Sequence, residues 1–188
     1  MSDQRWFQIM TNLLYPAVLG TLIYTFADST LKPGVCVDDP LFWGGLALFP
    51  LFMFDYAHSL REDVRASYDA PKFLADLVIV SCLFLAGKAI LKAPVFSQVD
   101  YVWWLFGAKA AAVIWEQRES KSGPAGRKSQ PAQAASRLVV FGIETDLALC
   151  VAYLVLGILA AVGASWWLWV APLAMALDAH QYYRYSRQ

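Results

Sequence analysis

The sequence predicts an all-α integral membrane protein, a bundle of six transmembrane helices with both termini cytoplasmic. Three observations carry this. Six apolar runs recur between short polar stretches, in a 188-residue chain that is 59% apolar and 16% charged, the signature of a bilayer as solvent. The runs lack the period-two alternation of barrel strands, so helices are expected. The basic residues also divide unevenly between alternate connections.

Taken in order, the expected helices span about 6–26, 41–58, 73–90, 101–116, 138–162 and 166–184, in a single transmembrane domain covering 1–188. The first holds Pro16 inside a long apolar run. Its flank shows no small-residue cleavage pattern, so it is read as a retained helix rather than a signal peptide. The second, third and fifth reach the ~20 residues that a ~30 Å core requires, the second and third with their flanks. The fourth is short and interrupted by Lys109, and the sixth is short before its polar exit.

The connections set the orientation. With the N-terminus inside, Arg5, Arg61, Arg65, Lys72, Arg118, Lys121, Arg127, Lys128, Arg137, Arg184 and Arg187 fall on the cytoplasmic side, against Lys32, Lys88 and Lys92 outside. Eleven against three satisfies the positive-inside rule, and removing the fourth or the sixth helix would place basic segments on the wrong face. The stretch 117–137, rich in Gly, Ser, Gln and Lys, is expected to be a mobile basic cytoplasmic loop. Val162 to Ser165 should be a tight outer turn through Gly163. The three cysteines form no framework, and no lipidation motif is present.

Two helices share a pattern. The second reads Pro50, Leu51, Met53, Asp55, His58, Arg61, and the sixth reads Pro172, Leu173, Met175, Asp178, His180, Arg184. Both histidines of the chain lie in it. The copies differ in facing: Asp55 and His58 are three apart and share a helix face, whereas Asp178 and His180 are two apart and do not. A weaker period of two helices links Asp76-Leu77 with Gly87 to Asp146-Leu147 with Gly157, as tandem hairpins would. The even helices also start aromatic, at Phe42-Trp43, Trp103-Trp104 and Trp166-Trp167, for which Trp belts at helix entrances are the ordinary alternative explanation.

Ionisable groups at membrane depth are functional candidates because burying them in lipid costs about 2.5–3.5 kcal/mol each on insertion scales. Here they are Asp55, His58, Asp76, Lys109, Glu144, Asp146, Asp178 and His180. Asp55 and Asp178 each lie six residues, roughly 9 Å, inward of an anchoring arginine. Lys109 and Asp146 come nearest the midplane and are expected to neutralise each other, as a structural ion pair or as a gate. Asp55 with His58 suits a proton relay, against which stands interfacial anchoring of His and Arg at headgroups. Joint metal or haem ligation by His58, His180, Asp55 and Asp178 has no supporting local spacing. Gly107/Ala111, Ala108/Ala112 and Gly157/Ala161 are small-residue pairs suited to close helix contacts.

The expected function is a small inner-membrane protein of bacterial type with a cytoplasm-facing polar cavity, an inner vestibule of Asp55, His58, Asp178 and His180 with Lys109–Asp146 as midplane gate, moving a small ion or solute, with proton linkage as an option. Lipid and the ion or solute are the expected partners, together with further copies of the chain or a larger membrane complex; nucleic acid is not expected at zero net charge. The alternatives are a non-catalytic membrane subunit or sensor, and a membrane-embedded enzyme or metal- or haem-binding protein at the inner surface. No P-loop, Gly-x-Ser-x-Gly or His-Glu-x-x-His motif occurs, which lowers the expectation of an enzyme. No cofactor is predicted.

Overall fold

The computed structural model describes residues 3–30, 40–60, 68–90, 100–121, 132–163 and 166–186; side chains at 3, 29–30, 40–41, 116–121, 132–144, 167–168 and 181–186 lie outside that description. The described residues form six helical rods and no strand. The first rod runs from α1 (Asp3–Ile9) through a π-helical turn (Met10–Leu14) into α2 (Tyr15–Thr30). The others are α3 (Pro40–Ser59), α4 (Ala70–Ile90), α5 (Asp100–Lys121), α6 (Ala132–Ala161) and α7 (Trp167–Ser186).

Each expected span lengthens at one end or both, while the fifth stops at Ala161 and the sixth starts at Trp167, one residue inside expectation. The largest difference is at the basic loop: α5 continues to Lys121 and α6 begins at Ala132, so both ends of 117–137 are helical. Ala132, Gln133, Ala134 and Ala135 are adequate helix formers, and polarity alone does not stop a helix whose ends lie in water. Two helices, Gln4–Asp28 and Ala70–Ile90, are long and apolar enough to cross a membrane on length and composition alone. In α3 and α7, Pro, Gly, Trp and Tyr occupy positions that aliphatic residues hold in α4. The arginines at 61, 65, 118, 127, 137, 184 and 187, which set the expected orientation, lie outside the described side chains.

The π turn has a local cause. Proline at 16 has no N–H and its ring crowds the carbonyl four residues back. The helix relaxes one turn earlier: the Tyr15 amide donates to the Met10 carbonyl, five residues back rather than four. The Thr11 carbonyl thereby loses both helical donors, since Tyr15 is engaged with Met10 and residue 16 is proline. The Tyr56 hydroxyl of α3 donates to it at 3.1 Å. Replacing Tyr56 by Phe leaves that carbonyl unpaired in a half-buried position, and unfolding measured in detergent should show a loss of about 1–3 kcal/mol. An unchanged unfolding midpoint would contradict this assignment.

Other ends follow ordinary rules. Asp69 caps α4, its carboxylate accepting the Lys72 amide at 2.9 Å. The α6–α7 corner turns at Gly163, at φ 83°, and the Gly163 amide bonds the Ala160 carbonyl at 3.1 Å. Where helices approach closely, glycine makes room. A methyl on Gly157 would meet the Trp103 ring of α5 at 3.1 Å, and one on Gly107 would meet Cys82 Sγ of α4 at 3.2 Å, so both small-residue sites serve contacts within the chain.

The strongest packings are α4 with α5, α3 with α7, and α5 with α6. The two look-alike helices are thus neighbours; a methyl on Gly44 of α3 would lie 4.0 Å from Pro172 of α7. Their shared pattern is rotated between them. Pro50 and Met53 are exposed while Leu51 is buried; Pro172 and Met175 are buried while Leu173 is exposed. The Pro-to-Asp spacing is five in α3 and six in α7. One extra residue turns a helix by about 100°. Both aspartates are buried, so it is the Pro-Leu-x-Met block that changes face.

The outside of the bundle is apolar along whole helix faces. Leu147, Val151, Val155 and Ile158 form a stripe on α6, and Trp166, Trp169, Leu173 and Leu177 a second one on α7. Leu74 and Val78 of α4 and Leu46 and Met53 of α3 are also exposed.

Candidate functional site

Several ionisable groups of the bundle point inward, among them Asp55, Lys109, Asp146 and Asp178. Lys109, at 5% exposure the most buried cation among the described residues, stands three residues beyond Phe106 on α5. Its ammonium hydrogen-bonds Asp146 Oδ1 of α6 at 2.8 Å. It also lies 2.6 Å from Asp178 Oδ1 of α7, an ion pair without the alignment of a hydrogen bond. Asp178 is 1% exposed, and the Tyr153 hydroxyl of α6 donates to its other oxygen at 3.4 Å. One cation therefore joins three helices, in an interior where charges attract more strongly than in water and cannot be left unmatched.

Asp55 completes the arrangement from α3. It lines the same small cavity as Lys109, Asp178 and Tyr153, whose remaining wall is aliphatic, including Leu51, Leu83 and Leu105. The cavity holds about one or two waters. Asp55 accepts a 2.7 Å hydrogen bond from Tyr15, the first residue after the π turn. With all groups ionised, Asp55, Asp146 and Asp178 outnumber Lys109 and the site is net −2. A bound cation or proton brings it toward neutrality.

Towards the α3–α4 connection lies a third aspartate–tyrosine pair. The Tyr68 hydroxyl donates to Asp76 Oδ2 at 2.8 Å. Tyr68 is 4% exposed. Burial first, then the Asp76 carboxylate, push its hydroxyl well above the ordinary tyrosine range, so it remains a neutral donor. Lys72 is also buried there, its ammonium 5.4 Å from the centre of the Trp115 ring.

The sequence divides these residues differently. It places Asp55, His58, Asp178 and His180 in an inner vestibule and Lys109 with Asp146 in a separate gate. In the structure Asp178 reaches Lys109, and Asp55 shares their cavity. His180 is exposed and His58 half-buried, and neither lines that cavity. The Asp-to-His spacing explains His180, which turning Asp178 inward carries two residues, about 200°, round α7; His58 keeps roughly the Asp55 face but lies about 4.5 Å further along α3. Asp76 pairs with Tyr68 and does not line that cavity, and the side chain of Glu144 lies outside the described residues. Sequence reasoning omits Tyr15, Tyr68 and Tyr153. A tyrosine inside an apolar run looks like core or belt, although its hydroxyl requires a partner when buried, and that requirement is the available signal. Among the described residues no three His, Cys, Asp or Glu side chains converge as a metal site. Cys82 and Cys150 are buried free thiols.

No protein-family model, no curated protein and no solved structure matches this chain.

Proposed function

We propose that the chain is a six-span membrane protein with cytoplasmic termini, of bacterial inner-membrane type, that moves a small ion through the Lys109 site. The observation that carries this reading is convergence. Lys109, Asp55 and Asp178 come from three different helices to one small, water-sized cavity, and Asp146 of a fourth helix pairs with Lys109 beside it. Ionisable groups are placed at such depth in membranes chiefly along ion and proton pathways. The exposed aliphatic and Trp stripes on α3, α4, α6 and α7 support burial in lipid, because a soluble monomer rarely shows continuous apolar faces of this extent. The eleven-to-three division of basic residues supports the orientation. The small cavity favours an ion over a larger solute. Lipid is the surrounding partner, further copies of the chain are compatible with the small bundle, and no cofactor enters the reading.

The test is flux into proteoliposomes holding purified protein, measured for H⁺, Na⁺, K⁺ and Cl⁻ in turn. At least one ion should cross with the native chain, and Asp178→Asn should slow it about tenfold or more, equivalent to about 1.4 kcal/mol or more on the limiting barrier. Absence of flux for every ion, or unchanged flux in Asp178→Asn, contradicts the proposal. The first outcome with a co-purifying partner would favour the membrane-subunit alternative.

A further inference from the structure

We infer that the transported ion is the proton, and that it travels along three aspartate–tyrosine pairs, Asp76–Tyr68, Asp55–Tyr15 and Asp178–Tyr153, to Lys109. This rests on the transport reading above and specifies its cargo and route.

Three observations lead here. The first is the repetition of one chemical unit. Tyr68 donates to Asp76 at 2.8 Å, Tyr15 to Asp55 at 2.7 Å, and Tyr153 to Asp178 at 3.4 Å. The partners come from different places in the fold: the α3–α4 connection with α4, α2 with α3, and α6 with α7. A single buried tyrosine needs some acceptor, but three that each choose an aspartate make a row of proton-accepting carboxylates, each with an O–H beside it.

The second is continuity. Asp55 is within electrostatic reach of Asp76, Lys109 and Asp178. Tyr68 senses both Asp76 and Asp55. Asp55 and Asp178 face the same cavity, where a water can bridge carboxylates that do not touch. Beyond Asp178, Tyr153 lies within reach of Tyr101, which begins the first turn of α5 and is fully buried. Tyr101 is eight residues, roughly 12 Å, before Lys109. The groups thus run from the connection before α4, through the middle, toward the opposite end of α5.

The third is exclusion by size and ligand number. The cavity takes about one or two waters, too little for a hydrated metal ion. A stripped metal cation needs several oxygen ligands at bonding distance, and among the described residues no such group of side chains exists. A proton needs only one lone pair at a time.

Each hop balances. A proton from water on the Tyr68 side adds to the Asp76 carboxylate, giving the neutral acid. That acid releases it through water to Asp55, and Asp76 returns to the carboxylate. Asp55 passes it across the cavity to Asp178. Neutral Asp178 loosens its ion pair with Lys109, which keeps Asp146 as partner; release of the proton to water on the Tyr101 side returns Asp178 to the carboxylate and restores the ion pair. The tyrosines remain neutral and orient the acceptor oxygens.

The experiment uses proteoliposomes of the full chain with an internal pH dye and a K⁺/valinomycin potential of either sign. The native protein should move protons, with no Na⁺ or Cl⁻ flux. Asp76→Asn and Asp55→Asn should each slow proton flux about 10²-fold, the usual contribution of a positioned proton-transfer group, and Tyr68→Phe should slow it severalfold. Tyr68→Phe removes one oxygen near the bundle end, so it keeps the test open if an Asn variant does not fold. Native-rate flux in folded Asp76→Asn and Tyr68→Phe overturns the route. Flux of Na⁺ or K⁺ without H⁺ overturns the cargo while leaving ion transport standing. Flux of nothing overturns both.

Discussion

Lys109→Met should destabilise the bundle by about 3–5 kcal/mol, read as a fall in the unfolding midpoint in detergent followed by the fluorescence of the eight tryptophans. Methionine keeps the length and the apolar contacts of the stem, so the change isolates the ammonium. Its loss leaves Asp146 and Asp178, both at most 9% exposed, facing each other with no cation between them. Asp146→Asn alone should do less, because Lys109 retains Asp178 at 2.6 Å. The informative variant is the triple change Lys109→Met, Asp146→Asn, Asp178→Asn. Removing the three paired charges together should restore most of the stability, since neutral replacement of a buried ion network is often harmless to folding. On the proposed transport reading it should nevertheless abolish flux. That pair of results separates the ion network as scaffold from the ion network as pathway. A Lys109→Met protein as stable as the native one would refute the energetic role.

Gly87→Ala is the second change with a large expected effect, and it acts by volume. A methyl on Gly87 of α4 collides with Leu22 of α2 and would meet Leu48 of α3 at 3.1 Å. Leu22 and Leu48 are themselves 1% and 4% exposed, so neither can swing out of the bundle to make room. Overpacking of this kind costs about 1–3 kcal/mol, despite the better helix propensity of alanine, which contributes about 1 kcal/mol the other way. Leu22→Ala alone leaves a hole and should also destabilise, by about 2–5 kcal/mol. The two together should be less harmful than their sum, because each relieves the other. Strict additivity in a double-mutant cycle would show that the two side chains do not meet.

Parts of this architecture are legible in the order of the amino acids. Helices rather than strands follow from run length and the lack of alternation. The number of rods follows from the polar interruptions, and the corner at Gly163 from one residue able to take positive φ. The meeting of Lys109 with Asp146 follows from depth: both lie near the middle of consecutive helices, where an unmatched charge is intolerable, and they are 2.8 Å apart. The π turn is harder. Pro16 announces a disturbance but not its form, because the choice between a kink and a shifted hydrogen bond depends on whether Tyr56 is there to donate to the Thr11 carbonyl.

The site separates the two levels most clearly. Which ionisable side chains enter apolar helices, and how deep they lie, is settled along the chain, since depth is counted on one helix at a constant rise per residue. Which of them meet is not. That depends on the rotation of each helix about its axis and on which helices are neighbours, and both are settled by packing across residues far apart in the chain. Asp178 joins Lys109, rather than a vestibule with His180, because α7 turns its aspartate into the core and its histidine outward. Tyr15 joins Asp55 across forty residues because the first rod lies against α3, a contact that no spacing within either helix encodes.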